Sequence, residues 1–545
     1  MLPGGPAVTG TPGLKVPAPA TRRRRLAAHV AIDPHWAAVA ALTGALGGFL
    51  VARIDAWPPN EDETLAFFVS GRPLGELLHQ VLQERGGAPL HFLLAHLASL
   101  VSPGLTSLRL VSVACAVTSI PAIAALVGRL AGRQVALVAT VLAATSWMFL
   151  FHGVFGRMYA LFLLTSTLSF LALLGALERG DRLRWAAWVI ATLAVVASHP
   201  FGVFVLATQV GFVLVRWRRE RVSPLAAGLS LLAVAVLATP LWLAYARLSE
   251  RYRSAPDEDR GGLGPTELAR YVRRVLGDFA VGWTPGFLLV LVAAGLGLTV
   301  LAPTRPRAAV LAAIVVPLAA LDLVVGRVFG TTQAGTRHLI FALPFFAMLV
   351  AAGLLRTVPP RAFAVALAGL ISAQLAWAWA VTPALFAGED PVRSAARLDA
   401  ADWLAARARS DDVLFAFDPL YLGAWERGAP YEDATLVPRI DPGLMSSTLA
   451  DEGEELGRGV WVLDASSPDQ LPERLSIAER SPGPEFEARA FGPFLVVRTI
   501  APVESPAEFL DYTIRVERLG EELRVASAHD TRLAVEAALA RVRGS

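Results

Sequence analysis

Long runs of apolar residues constrain this chain more than any other feature of its sequence. A helix needs roughly 20 apolar residues to cross the hydrocarbon layer of a bilayer. With 54% hydrophobic and 17% charged residues, the composition also differs from that of a typical soluble domain. We therefore predict a polytopic α-helical membrane protein with about eleven transmembrane helices. The apolar runs lie at about residues 35–56, 106–128, 134–150, 157–177, 184–199, 201–215, 224–246, 283–302, 308–326, 338–355 and 361–381.

Arginines in the connections between these runs predict the orientation of the chain. Basic residues are retained on the cytoplasmic side of a membrane, and Arg22–Arg25 stand before the first run, so we expect a cytoplasmic N-terminus. Residues 88–102 form an apolar stretch too short to span; if it spanned, the later basic loops would fall on the wrong side. We predict an interfacial or re-entrant segment there, after an amphipathic surface helix at residues 74–84. The later basic loops are at 128–133, 178–184, 216–221, 304–307 and 356–361.

The composition divides the chain into a membrane part and a soluble part. We predict a disordered cytoplasmic tail at 1–34 and a transmembrane domain at 35–382, whose first outer loop is 57–105. From residue 383 to 500, amphipathic and strand-like segments alternate, which indicates a small α/β domain outside the membrane. The predicted elements there are a helix at 393–409 and strands near 411–417, 459–464 and 493–497. Residues 501–545 remain an extension without an assigned role, with a helix predicted at 530–543.

Three consecutive carboxylates, Glu61, Asp62 and Glu63, follow the first apolar run. A run of charges beside a membrane usually marks a solvated loop. Alternatively, an aspartate at the outer face acts as a general base that accepts a proton from an acceptor hydroxyl. The residues alone leave both interpretations open.

Two arginines stand at the outer ends of predicted spans, where the usual charge bias disfavours them. For Arg157 and Arg337, either the side chain extends to the lipid headgroups, or the guanidinium binds two oxygens of a phosphate. His199 similarly either caps a loop or donates to a phosphate. Three further arginines, Arg270, Arg273 and Arg274, share one helical face in a loop rich in charges; either the loop is solvated, or this face meets lipid phosphate.

Several other classes of chemistry lack their sequence signals. We find no Walker-type phosphate loop, no HExxH motif and no GxSxG motif. The single cysteine, Cys115, excludes a disulfide within the chain. Histidines such as His91 are too scattered for a metal site to be favoured. The arginine-rich composition is not an indication of nucleic-acid binding.

Taken together, several short motifs resemble the GT-C superfamily of polytopic membrane glycosyltransferases, of the protein mannosyltransferase and aminoarabinose transferase type (family 39-type). The likeness runs in order from about residue 35 to 380, and more loosely into Asp402–Leu414. The motifs are Asp62-Glu63, Ala88-Pro89-Leu90-His91-Phe92-Leu93-Leu94, Arg157-Met158-Tyr159-Ala160-Leu161, Ser198-His199-Pro200-Phe201-Gly202 and Arg337-His338-Leu339-Ile340-Phe341-Ala342-Leu343-Pro344.

The resemblance implies an inverting transfer of a sugar from a polyprenyl-phosphate donor to an acceptor hydroxyl or amine. The transfer would take place at the outer face of a bacterial inner membrane. The acceptor is left open as lipid, glycan or protein, and a divalent metal is left open as well, with no metal ligand assigned. In this interpretation Asp62 and Glu63 are catalytic, and Arg157, Arg337 and His199 bind the donor phosphate. The accessory residues are Glu61, His91, Tyr159 and His338.

Two departures from the family pattern keep other functions open. Phe155 stands where such proteins often carry a second acid, and Gly87-Ala88-Pro89-Leu90 stands where they carry His-Pro-Pro-Leu, so that Gly87 replaces a histidine. A transporter or flippase of a lipid-linked solute is one alternative, for which Asp322 within an apolar run is the best support. A non-catalytic membrane scaffold derived from such an enzyme is the other.

Overall fold

The computed structural model of this protein describes residues 33–84, 87–220, 223–253, 265–317, 335–432, 434–453, 456–465 and 480–544. Nearly all of the tail predicted to be disordered lies outside these ranges, as do Asp322 and the second half of the run at 308–326.

Helices make up the described part of the first 382 residues. In chain order they are α1 (Pro34–Ala52), α2 (Glu61–Gly71), α3 (Leu74–His79), α4 (Pro89–Ser99), α5 (Leu105–Ala131), α6 (Arg133–Ala144), α7 (Trp147–Val154), α8 (Tyr159–Arg179), α9 (Arg182–Ser198), α10 (Gly202–Glu220), α11 (Pro224–Leu237), α12 (Thr239–Arg253), α13 (Pro265–Phe279), α14 (Thr284–Thr304), α15 (Pro306–Val315), a 3₁₀ turn (Thr336–Ala342) leading into α16 (Leu343–Thr357), and α17 (Pro360–Val381).

Six helical segments in the described ranges are long and apolar enough to cross a membrane. Two further candidates are broken helices, α6 with α7 and α11 with α12, which bend by 59° and 58°. Every predicted apolar run coincides with a helix wherever the structure describes it. The count of eleven is not confirmed, because α9, α10 and α15 fall outside this length and hydropathy criterion. The six are α1, α5, α8, α14, the segment Thr336–Thr357 and α17.

The first outer loop is itself helical. After α2 and α3, a π-helical turn covers Gln80–Glu84, and α4 then runs for 11 residues. At a rise of 1.5 Å per residue, a helix of this length reaches about half way across a bilayer. The interfacial prediction for residues 88–102 is consistent with this short helix.

An α/β unit follows the last candidate membrane helix; because we predict that it lies outside the membrane, we call it the soluble unit. It begins with α18 (Pro383–Ala387) and α19 (Pro391–Ala405). The sheet has the order β2-β1-β3-β5-β4; β1 pairs in parallel with β2 and β3, whereas β5 pairs antiparallel with β3 and β4. The remaining elements are β1 (Val413–Phe415), α20 (Pro419–Glu426), β2 (Thr435–Val437), α21 (Pro442–Glu452), β3 (Gly459–Asp464), β4 (Phe486–Phe491), β5 (Phe494–Thr499), α22 (Pro506–Glu522) and α23 (Ala528–Gly544).

Residues 501–545, which we expected to be an extension, contribute α22 and α23 to this unit. Phe509 and Val535 are fully buried in the same hydrophobic cluster as Val497 of the sheet. The structure thus packs both helices against the α/β sheet, and α22 is an element that we had not predicted.

The soluble unit packs directly on the first outer loop. One hydrophobic cluster contains Phe67 of α2 and Leu77 of α3 together with Leu420 and Tyr421 of α20. The rings of Phe67 and Trp425 lie 4.7 Å apart at this contact. The burial of these aromatic side chains holds the soluble unit against α2, the helix that begins with the acidic stretch.

Candidate functional site

The acidic stretch forms the first turn of α2. Asn60 caps the helix: its side chain accepts from the backbone N–H of Asp62, and Glu63 reaches back to the N–H of Asn60 at 3.1 Å. Carboxylates are favoured here because the helix dipole is positive at its N-terminus. Successive residues of a helix point about 100° apart, so the three carboxylates meet three different environments.

Glu63 is completely buried in an ion pair. Arg109 of α5 donates to both of its carboxylate oxygens, at 2.9 Å from Nε and 2.6 Å from Nη2. The backbone N–H of Gly156 donates to Oε1 at 2.7 Å. A Cβ at position 156 would lie only 3.0 Å from this oxygen, so glycine permits the close approach. All of these contacts hold Glu63 in place rather than presenting it to a ligand.

Arg109 also fixes the loop before α2. Its guanidinium donates to the carbonyl oxygens of Ile54 and Trp57, both at 2.8 Å, and of Pro58 at 3.3 Å. One buried arginine therefore connects the end of α1, the loop and the acidic turn. The prediction from sequence missed Arg109, although it carries the signal that singled out Arg157, namely an arginine near the outer end of an apolar run.

Asp62 points the other way, toward Arg337. Its carboxylate lies 3.7 Å from Nη1 of Arg337, and the two side chains are 33% and 43% exposed. Nη1 of Arg157 donates to the backbone carbonyl of Asp62 at 3.1 Å. Both predicted phosphate-binding arginines thus meet the predicted catalytic aspartate, and Asp62 retains access to solvent.

Local backbone structure positions the two arginines. Arg157 lies in the bend between α7 and α8, where the hydroxyl of Ser112 donates to its carbonyl at 3.1 Å. Its side chain is almost entirely buried, and its Nε has no hydrogen-bond partner. Arg337 opens the 3₁₀ turn before α16, and its guanidinium lies over the ring of Tyr159 at 5.5 Å. Aromatic faces attract guanidinium groups in this geometry.

A group of rings lies beneath these arginines. His338 lies 5.9 Å from Tyr159 and 5.1 Å from His199 between ring centroids. His199 is buried, and its Nδ1 accepts from the backbone N–H of Phe201 at 3.0 Å. His152 is also buried, and neither of its ring nitrogens has a partner among the described residues. Unpaired buried polar atoms are costly unless a ligand or water satisfies them.

An aromatic wall occupies the position of the missing second acid. Phe155 is buried and stacks on Phe151 with centroids 5.2 Å apart. Phe151 stacks in turn on Trp147 at 5.3 Å and meets the edge of Trp57 at 4.9 Å. The loss of the acid is therefore accompanied by a continuous apolar surface that begins beside the acidic turn.

A cavity of about 760 Å³ is lined in part by Arg337, the ion-pair partner of Asp62. The three arginines on one face of α13 line it together with Arg337, so the structure brings four guanidinium groups to one space. Among the described residues that line it, Asp278 is the one carboxylate; burial raises its pKa to about 6. The lining residues are Trp147, Phe151, His152, Arg270, Arg273, Arg274, Asp278, Gly282, Gly335, Thr336, Arg337, Trp377 and Val381.

The remaining predicted residues lie at the margins of the site. His91 is buried next to Arg157, and its ring meets the edge of Phe92 at 5.8 Å. Glu61 turns toward the soluble unit and pairs with Arg439 at 2.7 Å. Burial raises the pKa of Glu61 even though Arg439 opposes the rise. In the described part of the chain, no set of three His, Cys, Asp or Glu side chains is arranged to hold a metal ion.

Part of the chain matches a model of a known protein family. Residues 87–243 match the family model described as dolichyl-phosphate-mannose-protein mannosyltransferase. These residues carry Arg109, Arg157, Tyr159 and His199 but not the acidic turn. Comparison by sequence with curated proteins gives no match.

Solved structures extend the likeness to most of the chain. ArnT from Cupriavidus metallidurans bound to undecaprenyl phosphate has a TM-score of 0.52 at 14% identity, covering 85% of this chain and 98% of ArnT. Its apo state gives the same TM-score and covers 86% and 99%. The arabinofuranosyltransferase AftD from mycobacteria also scores 0.52 at 14% identity, covering 90% of this chain and 43% of AftD. The resemblance to the GT-C glycosyltransferases is thus confirmed, by the family model over residues 87–243 and by the fold over most of the chain.

Proposed function

We propose that this protein is a glycosyltransferase that moves a sugar from a polyprenyl-phosphate donor to an acceptor hydroxyl or amine. One observation carries the proposal: Asp62, held by a capped helix turn, faces Arg337 at the mouth of a cavity lined by four arginines. A carboxylate that accepts a proton and a cationic site that receives a phosphate are the two parts that this chemistry needs.

The arginine-lined cavity supports a phosphate-bearing donor. A guanidinium group can bind two phosphate oxygens at once, and Arg337 lines this cavity together with Arg270, Arg273 and Arg274 of α13. The Nε–H of Arg157 and one ring N–H of His152, which have no partner among the described residues, supply further donors. ArnT, which shares the fold, was solved with undecaprenyl phosphate bound. The aromatic wall from Trp57 to Phe155 offers apolar surface for the first part of the prenyl chain.

In the reaction that we propose, Asp62 removes the proton from the acceptor as the acceptor oxygen or nitrogen attacks the anomeric carbon. The new bond forms on the face opposite the phosphate, so the anomeric configuration inverts. The bond between the anomeric carbon and the phosphate oxygen breaks, and its electron pair leaves with the polyprenyl phosphate. Arg337 and Arg157 stabilise the negative charge that develops there. Glu63 and Arg109 position Asp62 without touching the reactants.

The orientation of the chain follows from its arginines and remains part of the proposal. We place the N-terminus in the cytoplasm, the Asp62 face and the soluble unit outside, and about eleven spans between them in a bacterial inner membrane. A transporter would move the lipid-linked solute without needing the base, and a scaffold would need neither the base nor the arginines.

Native mass spectrometry of the purified protein with undecaprenyl phosphate tests the donor site. We expect Arg337→Ala to lose most of the bound lipid, because a cation at the mouth of the cavity is removed. The matched control is Arg356→Ala, an exposed arginine in the last turn of α16, at the opposite end of the same helical segment. Equal lipid occupancy in all three proteins would contradict the proposed phosphate site.

A further inference from the structure

A small cavity lies among helices α9, α10 and α11, away from the site described above. It has a volume of about 160 Å³ and shares no lining residue with the arginine-lined cavity. Trp185, on its wall, precedes His199 by 14 positions on α9, which corresponds to about 21 Å along the helix axis. The cavity is therefore at the end of α9 opposite the proposed donor site. The lining residues are Trp185, Trp188, Gln209, Val210, Val213, Leu214, Trp217, Pro224, Ala227, Gly228 and Leu231. We call this space the tryptophan cavity.

Two buried tryptophans form part of its wall. Trp185 and Trp188 are 6% and 2% exposed, and their rings meet edge to face at 5.7 Å. Tryptophans that anchor a helix at a membrane surface lie among the lipid headgroups, whereas these two are enclosed by protein. The indole N–H of Trp188 donates to the amide oxygen of Gln209 at 2.8 Å, and Gln209 donates to the hydroxyl of Ser169 at 2.9 Å. These buried hydrogen bonds hold the Trp188 ring in one position, so this wall is built before any ligand arrives.

The tryptophan cavity fits an alkyl chain. None of the described residues that line it is charged, and the amide of Gln209 is already hydrogen-bonded through both its oxygen and its nitrogen. An apolar cavity of about 150 Å³ holds a molecule of the size of benzene, so this one holds a segment of an acyl chain. Leu214 and Gly228 line the cavity and are exposed on the outside of the helices. A chain can therefore enter from the surrounding lipid.

Two arginines lie one helical turn beyond the tryptophan cavity. Arg182 precedes Trp185 by three positions on α9, so the two residues share a helical face. Arg218 follows Leu214 by four positions on α10 and likewise continues a face that lines the cavity. Both arginines are exposed, and neither has an ion-pair partner among the described residues. The carboxylate of Asp181 caps α9 by accepting from a backbone N–H of its first turn at 2.9 Å. An anionic headgroup at this end thus meets two guanidinium groups.

We propose that the tryptophan cavity binds an acyl chain of an anionic phospholipid, whose headgroup lies at Arg182 and Arg218. The orientation given above places this end of α9 in the cytoplasm, so the lipid belongs to the cytoplasmic leaflet. Basic pockets between membrane helices on that side bind anionic lipid headgroups. A zwitterionic phospholipid offers the same chains without a net charge, so the arginines select between the two. This lipid site is separate from the transfer reaction and does not depend on it.

Native mass spectrometry of the full-length protein with dioleoyl phosphatidylglycerol tests the position of the acyl chain. Gly228→Leu fills the cavity. A Cβ at this position meets no atom within 4 Å, and leucine is favoured over glycine in a helix, so the variant should fold. We expect it to bind the lipid about tenfold more weakly, since about two methylene groups lose their burial. The matched control is Gly369→Leu, at an equally open and exposed position of α17, which should bind as the parent does.

A comparison with dioleoyl phosphatidylethanolamine tests the position of the headgroup. We expect the parent to prefer phosphatidylglycerol, and Arg182→Gln with Arg218→Gln to reduce that preference by about fivefold for each arginine. The control double variant is Arg356→Gln with Arg361→Gln. It removes two exposed arginines that the charge pattern assigns to the same side of the membrane, and it should keep the preference.

Three results would overturn the inference. The first is equal binding of phosphatidylglycerol by Gly228→Leu and the parent. The second is a parent that binds both phospholipids equally, or a preference reduced to the same extent in the two double variants. The third is weaker binding of undecaprenyl phosphate by Gly228→Leu with phosphatidylglycerol unchanged, which would assign the cavity to the prenyl carrier. We expect undecaprenyl phosphate to bind equally to the parent and to all of these variants, so a failure of the proposed donor site is observed separately.

Discussion

Glu63 and Asp62 are neighbours in the sequence but have opposite surroundings. Glu63 is held by Arg109 and Gly156 inside the protein, whereas Asp62 is one-third exposed and faces Arg337. In our proposal, these two carboxylates of the same helical turn therefore have different roles. Glu63 fixes the turn, and Asp62 acts on the acceptor.

Glu63→Gln should destabilise the protein strongly. The substitution leaves the guanidinium of Arg109 buried and without its counter-charge, and breaking a buried ion pair in this way costs about 3–5 kcal/mol. Thermal unfolding in detergent, followed by tryptophan fluorescence, measures the loss. Replacing both partners, Glu63→Leu with Arg109→Met, should recover part of the stability because no charge remains buried. If Glu63→Gln alone were as stable as the parent, the ion pair would not have the role that we assign to it.

The sequence did indicate where the arginines would meet. Arg157 and Arg337 stand at helix ends that the charge pattern assigns to one face, and the structure brings both to Asp62. The sequence did not indicate which of the three acids would be buried. Glu63 is buried because it pairs with Arg109, which lies 46 positions away in the sequence. The second acid missing from the family motif is likewise explained only in three dimensions, by the stacking of Phe155 on Phe151.

At the scale of elements, helix α22 was missed although its sequence contains an apolar face. Phe509, Ile514 and Val516 face the sheet, yet we predicted only the helix that follows it. The same face carries Glu517, which is buried, and burial raises its pKa to about 8. Strand β2 also escaped prediction, because a strand of three residues has too few positions to show a period of two. Strand β4, which has six residues, was missed as well.

Glu517 makes the packing of α22 depend on pH. A carboxyl group whose pKa is raised in the folded state contributes stability at low pH, and this stability is lost as the pH rises through the folded pKa. We therefore expect the contribution of Glu517 to lower the melting temperature as the pH rises from about 5 to about 8, between its ordinary and its folded pKa, and to level off above that. Glu517→Gln should flatten that fall, because glutamine stays neutral. A parent and variant that lose the same stability over this range would show that Glu517 does not carry a buried charge.

At the scale of the whole molecule, helix α2 of the first outer loop connects several parts of the structure. Its Asp62 pairs with Arg337, which lines the arginine-lined cavity, and its Phe68 lines a separate cavity of about 410 Å³ between the loop and the soluble unit. The soluble unit packs on the same helix through Phe67 and Trp425. Composition predicted the division into membrane and soluble parts, but it held no information on this contact, since that depends on which surfaces of two separately patterned units are complementary.

Turnover by Asp62→Asn tests the central claim most directly. The measurement is transfer of sugar from a polyprenyl-phosphate donor in reconstituted membranes, with binding of undecaprenyl phosphate to the same protein as its companion. Our account predicts that transfer falls by about 10²–10⁴-fold, as expected for loss of a general base, while bound lipid is retained because the arginines are unchanged. Asparagine keeps the size of the side chain and sits in a favourable first turn. Undiminished transfer by Asp62→Asn would contradict the account.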